Sequence, residues 1–561
     1  MRKNIKGVFE LEKSEVERLD KQFSALVCAA VGDALGWPQE QNSKNISKKK
    51  PTKLDEFQKW TRQDGGRFWG HSEVIQPGEY SDDTQLIIAT ARSLKYGSSW
   101  GKYFSKVELP AWLSYERGGG GATKRAAEEW RKNKKPWDVE KENESSLEKY
   151  FNAGGNGVAM RILPHVFTKE NTWAEIQHQV FLNGIFTHGH PRAILGALVY
   201  ADALMYLQNK NDTLGYGELI EYLIKRSDEW GTFPNVQKLD SWMNAANKVF
   251  NNNYLEVWNK TKQEIINQLA IVNQGLNKGA LDIGNETLEQ LGCFDKKING
   301  AGTVTATAAI YLASKYATSP KTAIVEAAHL NKADTDTLAS MVGGLLGILH
   351  GTEFLPTSWL SVQDYSYFST LLNQGTKNEE EIESPLFDCS KVGMKEKLKN
   401  IQRGDLLKVE PFGEITLDDV VFYDSNNSQI IKNLKFVSED GQVIFVKIYE
   451  RKVLKNNSLK KESVALEKNN SSLKGLKNID DPHTYKVVID ARKLRGFANL
   501  VPEELEFNLC LQLIADIMDE IERSQYVKSN KLNFQIIEAK WKKHNINYDY
   551  IIKIANVIQN Y

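Results

Sequence analysis

The chain has 561 residues, with 72 Lys and Arg against 72 Asp and Glu, so its formal net charge is zero. That length spans about two to four domains, and the charge balance excludes a strongly basic nucleic-acid binder and an acidic disordered solubiliser. With 41% hydrophobic, 10% aromatic and 26% charged residues, the composition is that of an ordinary soluble globular protein.

The first twenty residues carry charges every few positions and no apolar stretch, so a signal peptide is not expected. Cys28, Cys293, Cys389 and Cys510 lie far apart and form no CxxC pair. This usage points to a reducing cytoplasm, without a disulfide scaffold or a thiolate zinc site. The longest apolar run, Leu338 to Leu349, is shorter than the ~18–20 residues of a membrane span.

The first chemical feature along the chain is Ser81-Asp82-Asp83-Thr84. It precedes a stretch, Thr84–Lys95, with Ala, Leu and Ile at helical spacing. Two glycine-rich loops follow, Arg117–Thr123 and Gly154–Arg161, each read as running into a helix whose N–H groups can cradle phosphate. Neither has the Gly-Lys-[Ser/Thr] of a P-loop or a complete dinucleotide fingerprint, so flexible helix connections are an equal reading. Thr187-His188-Gly189-His190-Pro191 suits helix capping better than metal binding, with Pro191 at a first helical position. Arg192–Leu207 and Thr303–Tyr316 have few polar residues and are predicted as buried helices.

A second acidic cluster, Asp334-Thr335-Asp336-Thr337, precedes the Leu338–Leu349 run. An EF-hand starting at Asp334 fails, because Ala339 and Leu345 occupy the required Gly and Glu positions. A phosphatase-type DxDx[TV] site fails too, since Asn331-Lys332-Ala333 is not an apolar strand and Leu338 fills the fifth position. Each acidic cluster alone reads as helix capping. If the two helix starts converge, four carboxylates share one small volume and raise one another's pKa unless a cation neutralises them. An all-oxygen donor set suits Mg²⁺ or Mn²⁺ rather than zinc, and so many carboxylates can hold two ions. Ala339, Gly343, Gly347 and Gly351 stand four apart on one face of this segment, a strip that lets another helix approach closely.

The composition changes near residue 385, before which lie 12 of the 13 Trp and 33 of the 39 Gly. Asn373–Pro385 reads as a linker or long loop, dividing an all-α domain (1–385) from a small α+β module (386–561). In the module, Asn433–Tyr449 reads as a hairpin turning at Asp440-Gly441. Lys452–Asp481 reads as a mobile insertion, His483–Asp490 as a strand, and Glu503–Arg523 as an amphipathic helix.

Taken in order, these pieces resemble the ADP-ribosylglycohydrolase family, which includes the dinitrogenase reductase-activating glycohydrolases. Gly32-Asp33-Ala34-Leu35-Gly36, with Glu40 four residues on, is similar to the family's opening GDALG segment. Ser81–Thr84 is similar to its [ST]DDT motif, Gly155-Asn156-Gly157 with Met160-Arg161 to its GNG…MR segment, and Asp334–Thr337 to its DTDT helix. The similarity covers roughly residues 20–365. It departs at Ala333, where Gly is usual, and in a long lysine-rich segment between the first two motifs.

The resemblance implies an all-α fold with two Mg²⁺ ions (Mn²⁺ being an alternative) and hydrolysis of the bond between ADP-ribose and a modified macromolecule or small conjugate. Ser81, Asp82 and Asp83 would be metal ligands on one side, with Asp334, Asp336 and Thr337 on the other. Glu40 would activate water, with Asp83 and Asp336 completing the catalytic group. Asn156 and the flanking Gly155 and Gly157 would line the diphosphate and distal ribose. His188 would stand on the substrate side, and Asp33, Gly121 and Thr123 would also contact substrate. Two rival readings are a catalytically silent ADP-ribose binder or scaffold, and a different two-metal hydrolase. The C-terminal module would recognise a target, dimerise or bind a partner protein. Contact with nucleic acid through the Lys/Asn-rich insertion stays open, although that insertion lacks interleaved aromatics and reads better as a solvated loop.

Overall fold

The computed structural model describes residues 13–451 apart from short segments at 43–54, 66–69, 139–143, 168–171, 236–238, 280–284, 373–376, 378–383 and 425–428. It also describes Leu513, Ile517, Ile537 and Ile551. The chain forms two compact units, Met1–Leu454 and Lys455–Tyr561. Of the second, the four described residues are each helical and buried. The expected insertion at 452–481 and strand at 483–490 lie outside the described residues, as does the 503–523 helix except for Leu513 and Ile517. Most of the expected linker at 373–385 does too.

Seven helices of the first unit position the site: α1 (Lys13–Asn42), α2 (Asp82–Leu94), α3 (Gly121–Arg131), α4 (Pro191–Gln208), α5 (Tyr254–Asn277), α6 (Gly302–Lys315) and α7 (Thr335–His350). The two stretches predicted as buried helices are α4 and α6, and the Leu338–Leu349 run lies within α7. Each is sheathed by neighbours on nearly all sides, because too few of their side chains are polar to offer water a face.

α1 and α7 run antiparallel at backbone contact. A Cβ on Gly32 would lie 2.1 Å from the Ala339 carbonyl oxygen, and one on Gly36 would lie 2.2 Å from that of Thr335. In return, a Cβ on Gly343 would stand 2.1 Å from the Cys28 oxygen and one on Gly347 2.6 Å from that of Ser24. The glycine strip of α7 is thus half of a reciprocal seam, whose other half is the Gly32/Gly36 pair of α1. Each glycine costs about 1 kcal/mol of helix propensity relative to Ala, and the close packing offsets that cost.

A hairpin, β1 (Trp60–Asp64) with β2 (His71–Ile75), is inserted among the helices of this mostly helical region. Its inward positions explain why apolar alternation did not reveal it: His71 and Glu73 share the buried face of β2 with Ile75. The Gly154–Arg161 loop also differs from expectation, ending in a short 3₁₀ turn at Ala159–Arg161.

Downstream, β3 (Leu406–Val409), β4 (Gly413–Asp424), β5 (Gln429–Ser438) and β6 (Val443–Arg451) form an antiparallel meander in chain order. Its last turn holds Gly441 at φ +92°, where the sequence placed a hairpin. The meander packs on the helices: Ile415, Leu417, Leu434 and Phe436 are continuous with the helical core. Polar contacts add to this. Arg92 of α2, itself paired with Glu108 at 2.8 Å, donates to Gln442, and Lys447 of β6 meets Glu73 of β2 at 2.8 Å. The division between the two units therefore falls beyond the composition change at 385, with the whole sheet on the helical side.

Candidate active site

α1 organises both acidic turns. Asp33 is fully buried, and its carboxylate accepts from the backbone N–H of Ser81 (3.0 Å) and of Thr84 (3.0 Å) and from the Thr84 hydroxyl (2.6 Å). It therefore braces the start of α2 from outside, supplementing the Ser81 side chain, which caps that helix by accepting from Asp83 N–H at 3.3 Å. One turn further along α1, the Gly36 carbonyl accepts from the Thr335 hydroxyl at 2.9 Å and fixes the start of α7. One more turn brings Glu40 beside Asp336, whose pKa its charge helps to raise.

With both turns held, the two helix starts touch: Thr337 Oγ1 donates to Asp83 Oδ2 at 3.3 Å. Asp334 accepts from the Asn156 amide at 2.9 Å, and that amide also donates to Thr305 of α6 at 3.1 Å. Asp82 points toward the Arg117–Thr123 loop, where its Oδ1 lies 3.2 Å from the position a Gly118 Cβ would take. Ser81, Asp83, Asp334, Asp336, Thr337, Glu40 and Asn156 are thus brought into one neighbourhood.

The electrostatics follow from burial and crowding. Burial, then the charges of Asp33, Asp82 and Asp334, pushes Asp83 well above the usual carboxylate range. Burial, then Glu40, Asp334 and Asp83, does the same to Asp336. For Asp82 the causes are burial, Glu116 and Asp33, with Lys124 opposing. Such a cluster is uncomfortable as an ionised group without a counter-charge. Asp83 Oδ1 is moreover buried with no hydrogen-bond partner. An orphaned carboxylate oxygen among hydroxyls and further carboxylates is the donor chemistry of a hard cation such as magnesium. Among the described residues no three His, Cys, Asp or Glu side chains are gathered as ligands.

Residues 14–383 match the model of the ADP-ribosylglycohydrolase family. The chain belongs to the ADP-ribosylglycohydrolase family. Among solved structures, one described as "ADP-ribosylglycohydrolase-related protein complex" is 20% identical, covering 64% of this chain and 97% of that one at a TM-score of 0.40. No curated protein matches the chain significantly. The family is one of hydrolases acting on ADP-ribose linkages, and no described helix is long and apolar enough to cross a membrane.

In this family member three more of the expected residues, Gly157, His188 and Thr123, also come together. A Cβ on Gly157 would lie 3.1 Å from His188 Cε1 and 3.3 Å from Thr123 Oγ1, so the missing side chain leaves room between them. Gly155 bridges to Ala301, and Gly121 is exposed at the start of α3. His190 lies apart from His188 in role: its Nδ1 accepts from Arg192 N–H at 3.1 Å and caps α4.

Sequence reasoning gave no role to Arg161, although a lone arginine within VAMRILP is itself a signal. Its guanidinium is fully buried, and among the described residues no carboxylate pairs with it. It donates to Gly157 O (2.6 Å), Asn183 Oδ1 (2.7 Å), Asn183 O (2.8 Å) and Thr187 Oγ1 (2.8 Å). Burial pulls it down to about 9, which leaves it a cation at neutral pH.

Asn183 in turn contacts His165 Nε2 at 3.2 Å, and burial pushes His165 down to about 4. An unfolded His165 takes up a proton near 6.5 while the folded one stays neutral, so its contribution to stability is lost as pH falls from about 6.5 to about 4. His165→Gln does not titrate. The gap in unfolding free energy between wild type and variant is therefore expected to narrow by about 1.4 kcal/mol per pH unit across that window. Urea unfolding of both proteins at pH 7, 6 and 5 checks this, and a gap independent of pH would contradict it.

Proposed function

We propose that this chain is a magnesium-dependent hydrolase that cleaves the glycosidic bond between ADP-ribose and a modified acceptor, reversing ADP-ribosylation. The acceptor is a protein side chain, a nucleic acid or a small conjugate. The observation that carries this reading is the contact between the two acidic helix starts, Thr337 Oγ1 to Asp83 Oδ2 at 3.3 Å, with Glu40 beside Asp336.

Ser81, Asp82 and Asp83 of one turn and Asp334, Asp336 and Thr337 of the other would hold the magnesium. When bound, the metal neutralises the crowded carboxylates and lowers the pKa of water. Bond cleavage at the anomeric carbon develops oxocarbenium character, so water must be delivered as the leaving group departs. Glu40, only partly buried and at the end of α1, is the carboxylate we assign to taking the proton from that water. Asn156 has both amide hydrogens engaged by Asp334 and Thr305, which leaves its carbonyl oxygen fixed to accept from a ribose hydroxyl. Asp33 serves by bracing Ser81 and Thr84.

ADP-ribose release from arginine-, serine- and nucleobase-linked substrates is expected to require magnesium and to stop in EDTA. In parallel, saturating magnesium is expected to raise the melting temperature of the EDTA-treated protein, since a ligand present at about 100 times its Kd stabilises by about 2.7 kcal/mol. Equal release with and without EDTA would remove the metal from the scheme. Phosphate release without free ADP-ribose would point instead to a phosphoester hydrolase.

A further inference from the structure

His188 is almost completely buried, and its two nitrogens have different surroundings. Nδ1 lies 2.7 Å from Thr187 Oγ1. Nε2 makes no hydrogen bond among the described residues and lies beside the space above Gly157, across from the Thr123 hydroxyl. A neutral imidazole carries one proton, so one of these nitrogens donates and the other accepts. Which of them donates is decided by Thr187.

The Thr187 hydroxyl has one hydrogen to give. Its oxygen already accepts from Arg161 Nη2 at 2.8 Å, and a guanidinium can only donate. If His188 Nδ1 also donated to this oxygen, the hydroxyl hydrogen would be left in a buried site with no acceptor among the described residues, because Thr187 is only 1% exposed. Leaving that buried hydroxyl unmatched is more costly than the alternative, in which the hydroxyl donates to Nδ1 and the remaining donor, Nε2–H, faces the opening above Gly157. The positive charge of Arg161 adds to this: it polarises the hydroxyl toward donation and opposes a second positive charge on the imidazole. Burial, then Arg161 and Arg125, lowers His188 to about 3, in agreement with a neutral ring.

We infer that Arg161 and Thr187 are positioning residues that hold His188 as its Nε2–H tautomer, aimed past Gly157 as a hydrogen-bond donor to an oxygen of the bound substrate. Arg161 fixes the other wall of the same opening, since it also donates to the Gly157 carbonyl. The substrate half of this inference rests on the proposed hydrolase reading. The tautomer half rests on hydrogen-bond direction alone.

The test uses the full-length protein with ¹⁵N-labelled histidine, His188 being assigned by the signal lost in His188→Gln. At pH 7.5 the long-range ¹H–¹⁵N spectrum is expected to show His188 protonated on Nε2. In Thr187→Val, which keeps the shape and removes the hydroxyl, the Nδ1–H form is expected to appear, and Thr187→Ser is expected to restore the wild-type spectrum. In kinetics, Thr187→Val is expected to raise KM for an ADP-ribosylated substrate by about tenfold with a smaller change in kcat, the size of one lost hydrogen bond. Thr187→Ser is expected to recover it. An Nδ1–H ring in the wild type, or a Thr187→Val protein with unchanged tautomer, would overturn the inference whether or not the chain hydrolyses ADP-ribose linkages. An altered tautomer with unchanged KM would overturn the substrate role.

Discussion

Asp336→Asn is expected to lower ADP-ribose release by on the order of a thousandfold, because several kcal/mol of transition-state stabilisation depend on the acidic pair of turns. Asp83→Asn is expected to do the same. Neither should unfold the protein. Asn keeps an oxygen to accept from Thr337 N–H, which Asp336 Oδ1 now receives at 2.9 Å. Both substitutions also remove a charge from a crowded buried site. The sign of the stability effect follows from the raised carboxylates. Below the unfolded value of 3.8 both states hold the proton, so Asp and Asn differ little. As pH rises above it, the unfolded Asp336 ionises first and the wild type loses stability relative to the variant. In EDTA at pH 7.5 the variants are therefore expected to melt a few degrees above the wild type. They should also lose the rise in melting temperature caused by magnesium. Calorimetry with and without magnesium, run beside the release assay, checks both halves. Full activity in either variant would refute the assignment of these residues.

The second large effect is expected at the helix seam. Gly36→Ala places a Cβ 2.2 Å from the Thr335 oxygen, 2.5 Å from its carbonyl carbon and 2.7 Å from Asp336 Cα. All three are backbone atoms, so no side chain can turn aside and α1 and α7 must separate. Helix propensity alone predicts a gain of about 1 kcal/mol for Gly to Ala. Overpacking reverses that sign, with an expected net loss of about 3 kcal/mol. Gly343→Ala should destabilise similarly, since its Cβ would stand 2.1 Å from the Cys28 oxygen. Only Gly36→Ala displaces the Thr335–Asp336 turn directly, so it alone is expected to reduce turnover in protein that is still folded. Gly393→Ala, with nothing within 4 Å of the new Cβ, is the neutral control. Urea unfolding of the three variants measures the stability order.

The comparison of sequence with structure turns on which contacts are local. The acidic turns and the glycine strip were legible because helix starts and four-residue spacing are short-range patterns. The seam itself was half-legible: the strip on α7 announced a close neighbour, but nothing local identifies that neighbour as α1. Asp33 shows the same limit. Its motif position suggested substrate contact, whereas the structure engages its carboxylate with a helix start 48 residues away. Arg161 was overlooked because a charge in an apolar stretch has no period, and three of its four acceptors come from Asn183 and Thr187, 22 and 26 residues away. The β1–β2 hairpin was hidden by buried Glu73, whose partners include Arg117 and Lys447, far along the chain, beside Arg62 of β1.

Arg117 also bears on where this polypeptide can be shortened. Its guanidinium is sandwiched between Trp37 of α1, at 5.3 Å, and Phe445 of β6, at 4.3 Å, while it pairs with Glu79 at 2.8 Å. Its neighbour Gly118 abuts Asp82. A fragment cut at the composition change, residue 385, would strip one aromatic face from that cation and open the core beneath Phe436 and Ile415 to water. The natural minimal fragment ends instead after β6, at the Leu454 division, so that the strand holding the loop beside Asp82 stays with the aspartate it steadies.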